Sequence, residues 1–452
     1  MIGPVTFGPR VIAPVTFAPL LIVAVFATSP QVHAETPTRL DGSARLRALY
    51  SADDGGGPQI AFGFFDADLR ARDVTDSGLS LQLDSTLVLD ATGENERRFG
   101  ATESFAQVRQ LYAGHPLLDR QLELKLGRQV MREAGNAWVD GLTAKVDLGR
   151  VHVGIYGGLS PDPLDYKPDT DTIATGALVE LQHEGLDASA AYNLLLRGDA
   201  VDRQFLFNRV HYRLSSALYV SSFLVFDLGR EDEVSMWLGS VDYTPVSGFN
   251  LGLNLSRYSL AQYRDPAIYR SQLEPNQALI LGDEIVDLVY DRARFSASFR
   301  FWERYYQYQS VEVKHRSQDN REAVGYTIGL RNEDVADSGL ELDASARLHN
   351  GFMTDTLSLS LDAQLDVSPN LSLTTRATWF SGRTIGRATD RGRLFDESQE
   401  IYLLGLGAYY QPLRHHRLDL DYDGAFETEL QDQRNQDDLF IHTIMGRYGY
   451  WF

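Results

Sequence analysis

Apolar and polar residues alternate along much of this chain. Leucine and alanine occupy the odd positions from Leu357 to Leu365, while serine, aspartate and glutamine occupy the even positions between them. Residues 340–347 and 418–423 repeat the alternation. A period of two is the period of a β-strand, whose successive side chains point to opposite faces. No amphipathic helix of comparable length interrupts the series, so the pattern predicts an all-β fold.

The alternating segments, with turn residues between them, predict twenty-two strands within a range of 18–24. The ambiguous segment is 284–302, because its apolar residues change parity half-way along. Either a β-bulge near Asp291-Arg292 joins one strand, or a turn there divides two strands. The parity of the later connections favours one bulged strand. No linker-like composition divides the chain, so one domain is predicted.

Strand length and connections distinguish a membrane barrel from a soluble β-sandwich, since both bury one strand face. Many predicted strands run to about 10–13 residues, whereas globular strands have about 5–6 and a bilayer needs about 9–11. Short connections such as 149–150 and 184–185 alternate with long polar ones such as 91–102 and 259–283. The sequence therefore predicts a single large antiparallel transmembrane β-barrel with short periplasmic turns and long extracellular loops.

The N-terminus has the features of a secretory signal peptide. Arg10 precedes an apolar stretch, 17–26, that is too short to span a bilayer as a helix. Residues 32–34 form a cleavage site of the small-x-small type. The prediction is a signal peptide over 1–34 and a barrel over 35–452. Both barrel termini are expected in the periplasm, which requires an even number of strands.

Composition removes several classes of function. The chain has no cysteine, which excludes disulfides, thiolate metal sites and thiol catalysis. Its net charge of −20 is unsuited to general nucleic-acid binding, so no nucleic-acid partner is expected. No run of about 18 apolar residues follows the N-terminal stretch, so no transmembrane helix is predicted. A barrel is compatible with this hydropathy, because its polar residues face the lumen and loops.

The chain ends on alternating aromatic residues, with Tyr448, Tyr450 and Phe452 on one predicted face. This ending resembles the C-terminal strand of Gram-negative outer-membrane β-barrels of the porin superfamily, which the barrel-assembly machinery recognises. The resemblance implies a cell outer membrane location, contact with lipid, and binding of this strand to that machinery. The alternative is a soluble sandwich whose last strand happens to end in phenylalanine.

The strand pattern begins near Ser43 and leaves no room for a plug domain before it, so the predicted lumen is open or constricted by a loop. Segment 259–283 either folds inward as that constriction or is an ordinary surface loop. Opposed inward charges would orient polar solutes and set ion preference, although each charge could instead be a solvated group with a local partner. The candidate lumen residues are Lys125, Lys145, Arg294, Arg300, Arg331, Arg347, Arg376, Glu341, Asp343, Asp419, Asp421 and Asp423.

The predicted function is an outer-membrane channel for passive, weakly selective diffusion of small polar or charged solutes, with no cofactor, metal or chemistry. No Gly-x-Ser-x-Gly, His-Glu-x-x-His or Gly-rich phosphate motif points to an enzyme, and His415-His416 is interpreted as a polar turn. The first alternative is a barrel that sleeves or anchors a periplasmic or lipoprotein partner, such as an electron-conduit sheath. An outer-membrane enzyme is the other alternative.

A second, narrower resemblance covers residues 120–160. Residues 124–129 read Leu-Lys-Leu-Gly-Arg-Gln, 138–141 read Trp-Val-Asp-Gly, and 156–158 read Tyr-Gly-Gly. This spacing is similar to a stretch of alginate-export and other carbohydrate-selective porins. The resemblance implies that arginine and lysine side chains in the lumen bind an anionic or polyhydroxylated solute.

Overall fold

The computed structural model describes residues 38–54, 59–92, 104–162, 167–228, 233–259, 289–352, 354–388, 394–428 and 439–452. These residues form one sheet of 22 strands, so both the all-β prediction and the strand count are confirmed. The strands are β1 (Arg39–Asp53), β2 (Ile60–Arg72), β3 (Ser80–Asp90), β4 (Phe105–Leu117), β5 (Leu122–Met131), β6 (Ala137–Asp147), β7 (Val151–Leu159), β8 (Thr172–His183), β9 (Leu186–Arg197), β10 (Ala200–Arg213), β11 (Leu218–Leu228), β12 (Glu233–Val246), β13 (Phe249–Ser259), β14 (Val289–Trp302), β15 (Tyr305–Arg316), β16 (Arg321–Asn332), β17 (Leu340–Asn350), β18 (Thr354–Ser368), β19 (Leu371–Ala388), β20 (Leu394–Leu413), β21 (His416–Thr428) and β22 (Leu439–Trp451).

The sheet closes on itself as a barrel. Each strand pairs antiparallel with the next along the chain, and β1 pairs with β22. Gly42 and Phe452 exchange backbone hydrogen bonds of 3.1 and 3.2 Å at this closure. Closure leaves no free outermost strand, which is the condition for a sheet to stand in lipid. Within the described part of the chain, no helix is both long and apolar enough to cross a membrane.

The two ends of the barrel differ in their connections. One end, the turn rim, carries the start of β1, the end of β22, and tight connections such as 184–185, 303–304 and 369–370. The opposite end, the loop rim, carries the long interval 260–288 between β13 and β14, which lies outside the described residues. The even strand number places both described chain ends on the turn rim. Residues 1–37, with the predicted signal peptide, also lie outside the described residues.

Alternation gives the barrel an apolar outer face and a polar lumen face. On β18, Leu361 faces outward and is 51% exposed, while its neighbour Asp362 faces inward and pairs with Arg376 on β19. On β17, Leu348 faces outward and Arg347 inward. In a free-standing soluble protein such outward leucines would be buried, whereas a membrane barrel presents them to lipid.

The bulge predicted near Asp291-Arg292 is wrong. The pairing of β14 with β13 and β15 runs without a register shift through both residues. The shift in this strand lies instead between Arg300 and Trp302, close to the turn rim. The strand begins at Val289, and residues 284–288 of the predicted segment lie outside the described residues.

The apolar pattern changes parity near Asp291 because an aromatic residue, Tyr290, faces the lumen, and not because the strand is bulged there. Tyr290 shares the inward parity of β14, and its ring lies 6.1 Å from that of Tyr258 and 6.2 Å from that of Phe352. An apolar side chain at this parity therefore packs against other lumen aromatics. It does not require the strand to reverse its faces, so the parity change in the sequence was not a bulge signal.

Candidate functional site

All twelve candidate lumen residues stand at inward positions of their strands, and most have an ion-pair partner on the same or a nearby strand. Lys145 pairs with Glu180 at 2.6 Å, and Lys125 pairs with Glu123 at 3.1 Å. Near the turn rim, Arg331 pairs with Glu341. The structure therefore places these charges on the lumen face, and most of them have a local ion-pair partner.

One recess of about 560 Å³ on the lumen face of β15–β22 is acidic, and we call it the acidic recess. Tyr308 donates its hydroxyl to Asp343 at 2.6 Å, and Tyr409 donates to Asp421 at 3.0 Å, so the carboxylates are held in place. A cation that passes this wall meets more negative than positive charge. The charged residues lining the recess are Glu341, Asp343, Asp362, Asp421 and Asp423, against Arg376 and Arg447.

The predicted ladder of three aspartates on β21 is present but unevenly neutralised. Asp419 pairs with Arg417 at 2.6 Å, and Arg447 on β22 binds both Asp419 and Asp421. Asp423 has no ion-pair partner among the described residues. The strand therefore presents one carboxylate that forms no ion pair among the described residues, Asp423, and this carboxylate still interacts electrostatically with Arg376 on β19.

A second charged area, the basic group, lies on β14–β17 towards the loop rim. Glu312 is 7% exposed and forms ion pairs with Arg292 and, at 2.8 Å, with Lys314. Arg294 donates to the Ser310 hydroxyl at 3.3 Å, and Arg347 has no ion-pair partner among the described residues. This sector of the lumen wall is therefore basic near the loop rim, and the acidic recess lies closer to the turn rim. The basic group consists of Arg292, Arg294, Lys314 and Arg347.

The connection between β5 and β6 folds into the lumen, and we call residues 129–139 the hairpin tip. A short 3₁₀ turn at Arg132–Ala134 lies against β8, β9 and β10. Ala134 is fully buried there, and Gly135 packs on the ring of Phe207, which is 1% exposed. The tip thereby covers an apolar patch on the lumen face. That patch consists of Tyr156, Ala174, Leu178, Ala191, Phe205, Phe207 and Val225.

A row of three glycines marks the line at which the hairpin bends inward. Gly127, Gly141 and Gly158 are paired neighbours on β5, β6 and β7, and all three face the lumen. A Cβ on Gly127 would lie 2.2 Å from a backbone oxygen of β4, and one on Gly141 would lie 2.1 Å from the Gly157 oxygen. Gly127 also has a φ of +126°, which favours glycine. The bend therefore requires this residue type.

An ion pair stands beside the glycine row on the outer face. Arg128 binds Asp140 through two hydrogen bonds of 2.6 and 2.5 Å, and its Nη1 donates to the Val108 carbonyl at 2.9 Å. The two side chains are 10% and 17% exposed. The bidentate geometry and the low exposure of both side chains make this a strong contact, because little water can compete for either charge.

Beneath the hairpin tip lies a recess of about 230 Å³, which we call the tip recess. It brings Lys125 and Lys145 together with Glu123 and Glu180, and Gln129 contributes from the tip side. Two of the candidate residues therefore meet at the narrowing of the lumen. The acidic recess and the basic group stand on other parts of the wall.

Sequence reasoning missed the hairpin tip. It considered 259–283 as the inward constriction, and residues 260–288 lie outside the described residues, so that prediction stays untested. The signal for the tip was present in the short Gly-Arg-Gln and Asp-Gly segments around Arg128 and Asp140. Those segments were connected to a solute only by resemblance, whereas the structure shows them forming a bend and an ion pair. The described residues contain no group of three or more His, Asp or Glu side chains arranged to hold a metal.

No protein-family model matches the chain, and no curated protein matches its sequence. Among solved structures, it is similar to Pseudomonas aeruginosa OccK9 (OpdG), at 13% identity and a TM-score of 0.46 over 91% of this chain and 98% of that one. It is similar to OccK5 (OpdH) of the same organism at 12% identity and 0.45, over 91% and 98%. These values are too low to carry a solute or an activity to this chain, and neither structure bears on the alginate-export resemblance.

Proposed function

We propose that the chain is a Gram-negative outer-membrane channel through which small polar or charged solutes diffuse passively. The observation that carries this proposal is the two-sided wall, with leucines such as Leu361 exposed outward and ion pairs such as Lys145–Glu180 inside. Barrels of 16–18 strands already enclose an aqueous channel, and this one has 22. The proposed orientation places the turn rim in the periplasm, and the proposed mature chain is 35–452.

Weak selectivity is part of the proposal. A solute that enters at the loop rim meets the basic group first and the acidic recess later, so neither sign of charge is excluded along the whole path. Most of the candidate lumen charges have ion-pair partners on the same or a nearby strand, and few of them, such as Arg347 and Asp423, form no ion pair among the described residues. Rings of one sign would be needed for strong ion selection. The hairpin tip narrows the lumen and brings solutes past Lys125 and Lys145.

The last strand is proposed to bind the barrel-assembly machinery. Tyr448 and Tyr450 face outward on β22, and Phe452 closes the barrel against Gly42. An aromatic outer face at the final strand is a surface that a partner in the membrane could contact before closure. Replacement of Phe452 by serine is expected to lower the amount of heat-modifiable barrel in outer membranes, without loss of refolding from urea in vitro.

Conductance tests the channel directly. The refolded mature chain, added to a planar bilayer under a salt gradient, is expected to give discrete current steps and a reversal potential close to zero. A barrel that shows the mobility shift of a folded protein on unboiled gels but conducts no current would refute the channel. A co-purified partner that blocks the lumen would then favour the alternative function, a barrel that sleeves or anchors a periplasmic or lipoprotein partner.

A further inference from the structure

The connection between β20 and β21, at the turn rim, is rich in basic side chains. Arg414 is followed directly by His415 and His416, and the sequence has no aspartate or glutamate from 401 to 418. Other connections at this rim balance the two signs of charge, as in Asp119-Arg120 between β4 and β5. The β20–β21 turn therefore gathers positive charge and hydrogen-bond donors in a stretch without a carboxylate side chain. The channel proposed above makes no use of them.

Both histidine rings of this turn lie on the outer face of the barrel. Tyr450 faces outward on β22, and its ring centroid is 5.0 Å from that of His416 and 6.5 Å from that of His415. Two successive residues of a regular strand would point to opposite faces. The turn instead brings both imidazoles to one outward ring, so a single ligand on the outer face can contact both.

The ring of His416 is held in place by a second tyrosine. Its Nδ1 lies 2.8 Å from the hydroxyl of Tyr448, which also faces outward on β22. When the hydroxyl donates this hydrogen bond, Nε2 carries the hydrogen of the imidazole and can donate it to an anion. A side chain that is already ordered loses less conformational entropy on binding. His416 is therefore a preorganised donor on the outer face.

The fourth basic residue of this segment is used inside the barrel. Arg417 faces the lumen and binds Asp419 at 2.6 Å, so this arginine and the first acidic residue of β21 neutralise each other there. Arg414 stands in the exposed turn, where its carbonyl accepts a hydrogen bond of 3.3 Å from Gln411. The outer side of the turn thus offers a guanidinium and two imidazoles. An ammonium group would find no carboxylate side chain in this stretch.

The turn stands at the depth of lipid head groups. His416 and Leu418 are successive outward residues of β21, and Leu418 is 46% exposed. Two residues extend about 7 Å along a strand, which is about 5 Å along the membrane normal at a tilt of about 40°. The head-group layer adds about 5–8 Å to each side of the hydrocarbon core. With Leu418 in hydrocarbon, the imidazole of His416 reaches the layer that holds the lipid phosphates.

We propose that this turn binds the phosphate of an anionic phospholipid in the periplasmic leaflet of the outer membrane. The Arg414 guanidinium and the His416 Nε2 donate to phosphate oxygens, and His415 supplies the second imidazole. The acyl chains lie against Leu418 and against the outer surface at Gly446, where an added Cβ would meet nothing within 4 Å. A head group without an ammonium is preferred, because the turn has no carboxylate side chain to hold one. The choice of leaflet rests on the orientation proposed above.

Lipid-selective quenching tests the site, because the chain has no cysteine of its own and a single one can carry a label. The reporter is a fluorophore on Leu418→Cys. The control reporter is Leu181→Cys, the outward residue next to His183 at the same rim. Each labelled barrel is refolded into phosphatidylcholine vesicles that contain a minor fraction of brominated phosphatidylglycerol or of brominated phosphatidylcholine. Both leaflets carry the brominated lipid, so the direction of insertion does not affect the result.

The label at 418 is expected to be quenched several-fold more by brominated phosphatidylglycerol than by brominated phosphatidylcholine, and the label at 181 equally by both. Arg414→Gln combined with His416→Gln should remove the difference at 418. The matched control is Arg150→Gln combined with His183→Gln, which removes the same residue types at a part of the rim that carries Glu184. This control should leave the difference at 418 unchanged.

The outcomes separate the lipid site from the channel. Equal quenching by the two lipids at 418, an equal preference at 181, or a preference that survives in the Arg414/His416 variant overturns the site and leaves the channel intact. A preference that millimolar inorganic phosphate removes, and that chloride at the same ionic strength does not, assigns the turn to a soluble phosphate and overturns the lipid.

Two further results concern the channel. Absence of quenching at both reporters shows that the barrel is not in the bilayer and overturns both proposals. A lipid preference at 418 in a barrel that carries no current refutes the channel and supports the lipid site. Unboiled gel mobility confirms that each labelled variant is folded.

Discussion

The sector β4–β7 and the sector β17–β21 are built from the same alternating pattern, yet they differ in where the strands go. In β17–β21, leucines face out, charges face in, and the strands remain paired along their length, with fourteen pairs between β18 and β19. In β4–β7, the end of the β5–β6 hairpin nearest the loop rim leaves the wall and packs inside the lumen. The difference teaches that alternation assigns faces but does not decide whether a strand stays in the wall.

The two sectors also place similar ion pairs in opposite environments. Arg128–Asp140 stands on the outer face at 10% and 17% exposure, whereas Arg376–Asp362 faces the lumen at 67% and 37%. Both join an arginine and an aspartate on neighbouring strands. At the bend Arg128 also donates to the Val108 carbonyl, whereas both side chains of the second pair are exposed in the lumen. Their contributions to stability should therefore differ widely.

The largest effect is expected from removing the buried arginine. Arg128→Ala leaves Asp140 as an uncompensated charge and the Val108 carbonyl without its donor, which should lower the free energy of unfolding by about 3–5 kcal/mol. The matched variant Arg376→Ala should cost no more than about 1 kcal/mol, because its partner remains hydrated. Urea unfolding of the refolded barrel in vesicles, followed by tryptophan fluorescence, measures both. Equal losses would show that the two pairs stand in equivalent environments.

A somewhat smaller effect is expected at the bend. Gly127→Ala adds a Cβ against β4 and forces a residue with a side chain into a positive φ, which together should cost about 2–4 kcal/mol. Gly63→Ala is the control, because a Cβ there makes only ordinary contact with Leu89 at 3.6 Å. It should be neutral or stabilise the strand by up to about 1 kcal/mol. The same unfolding assay applies, and a Gly127 variant as stable as the control would remove the steric basis of the bend.

The smallest effect is expected on ion preference. Replacing Asp419, Asp421 and Asp423 by asparagine frees the arginines that they hold and should shift the reversal potential towards anions. Replacing Arg294 and Arg347 by glutamine should shift it towards cations. Both shifts should be modest, because charges of the other sign remain along the path. Bilayer recordings under a salt gradient measure them, and shifts of the same sign in both variants would contradict the assigned lumen faces.

Much of this protein could be predicted from its sequence. Local alternation is enough to identify a strand, so the all-β fold, the count of 22 and the inward position of all twelve candidate residues followed from it. The parity change near Tyr290 led to a wrong prediction, since an aromatic residue on the lumen face and a β-bulge produce the same change in the apolar pattern of a sequence. The pairing of charges was also beyond reach, because Lys145 and Glu180 are neighbours only through the register of β6, β7 and β8.

By itself, the sequence determined which residues form strands, which face of each strand is apolar, and which rim has the tight turns. The tertiary structure alone decided that the β5–β6 hairpin leaves the wall. The physical reason is that the bend depends on Gly127, Gly141 and Gly158 standing side by side. Each glycine is unremarkable in its own strand. Only when three strands are placed in register do they leave the lumen face bare enough for backbones to approach and turn inward.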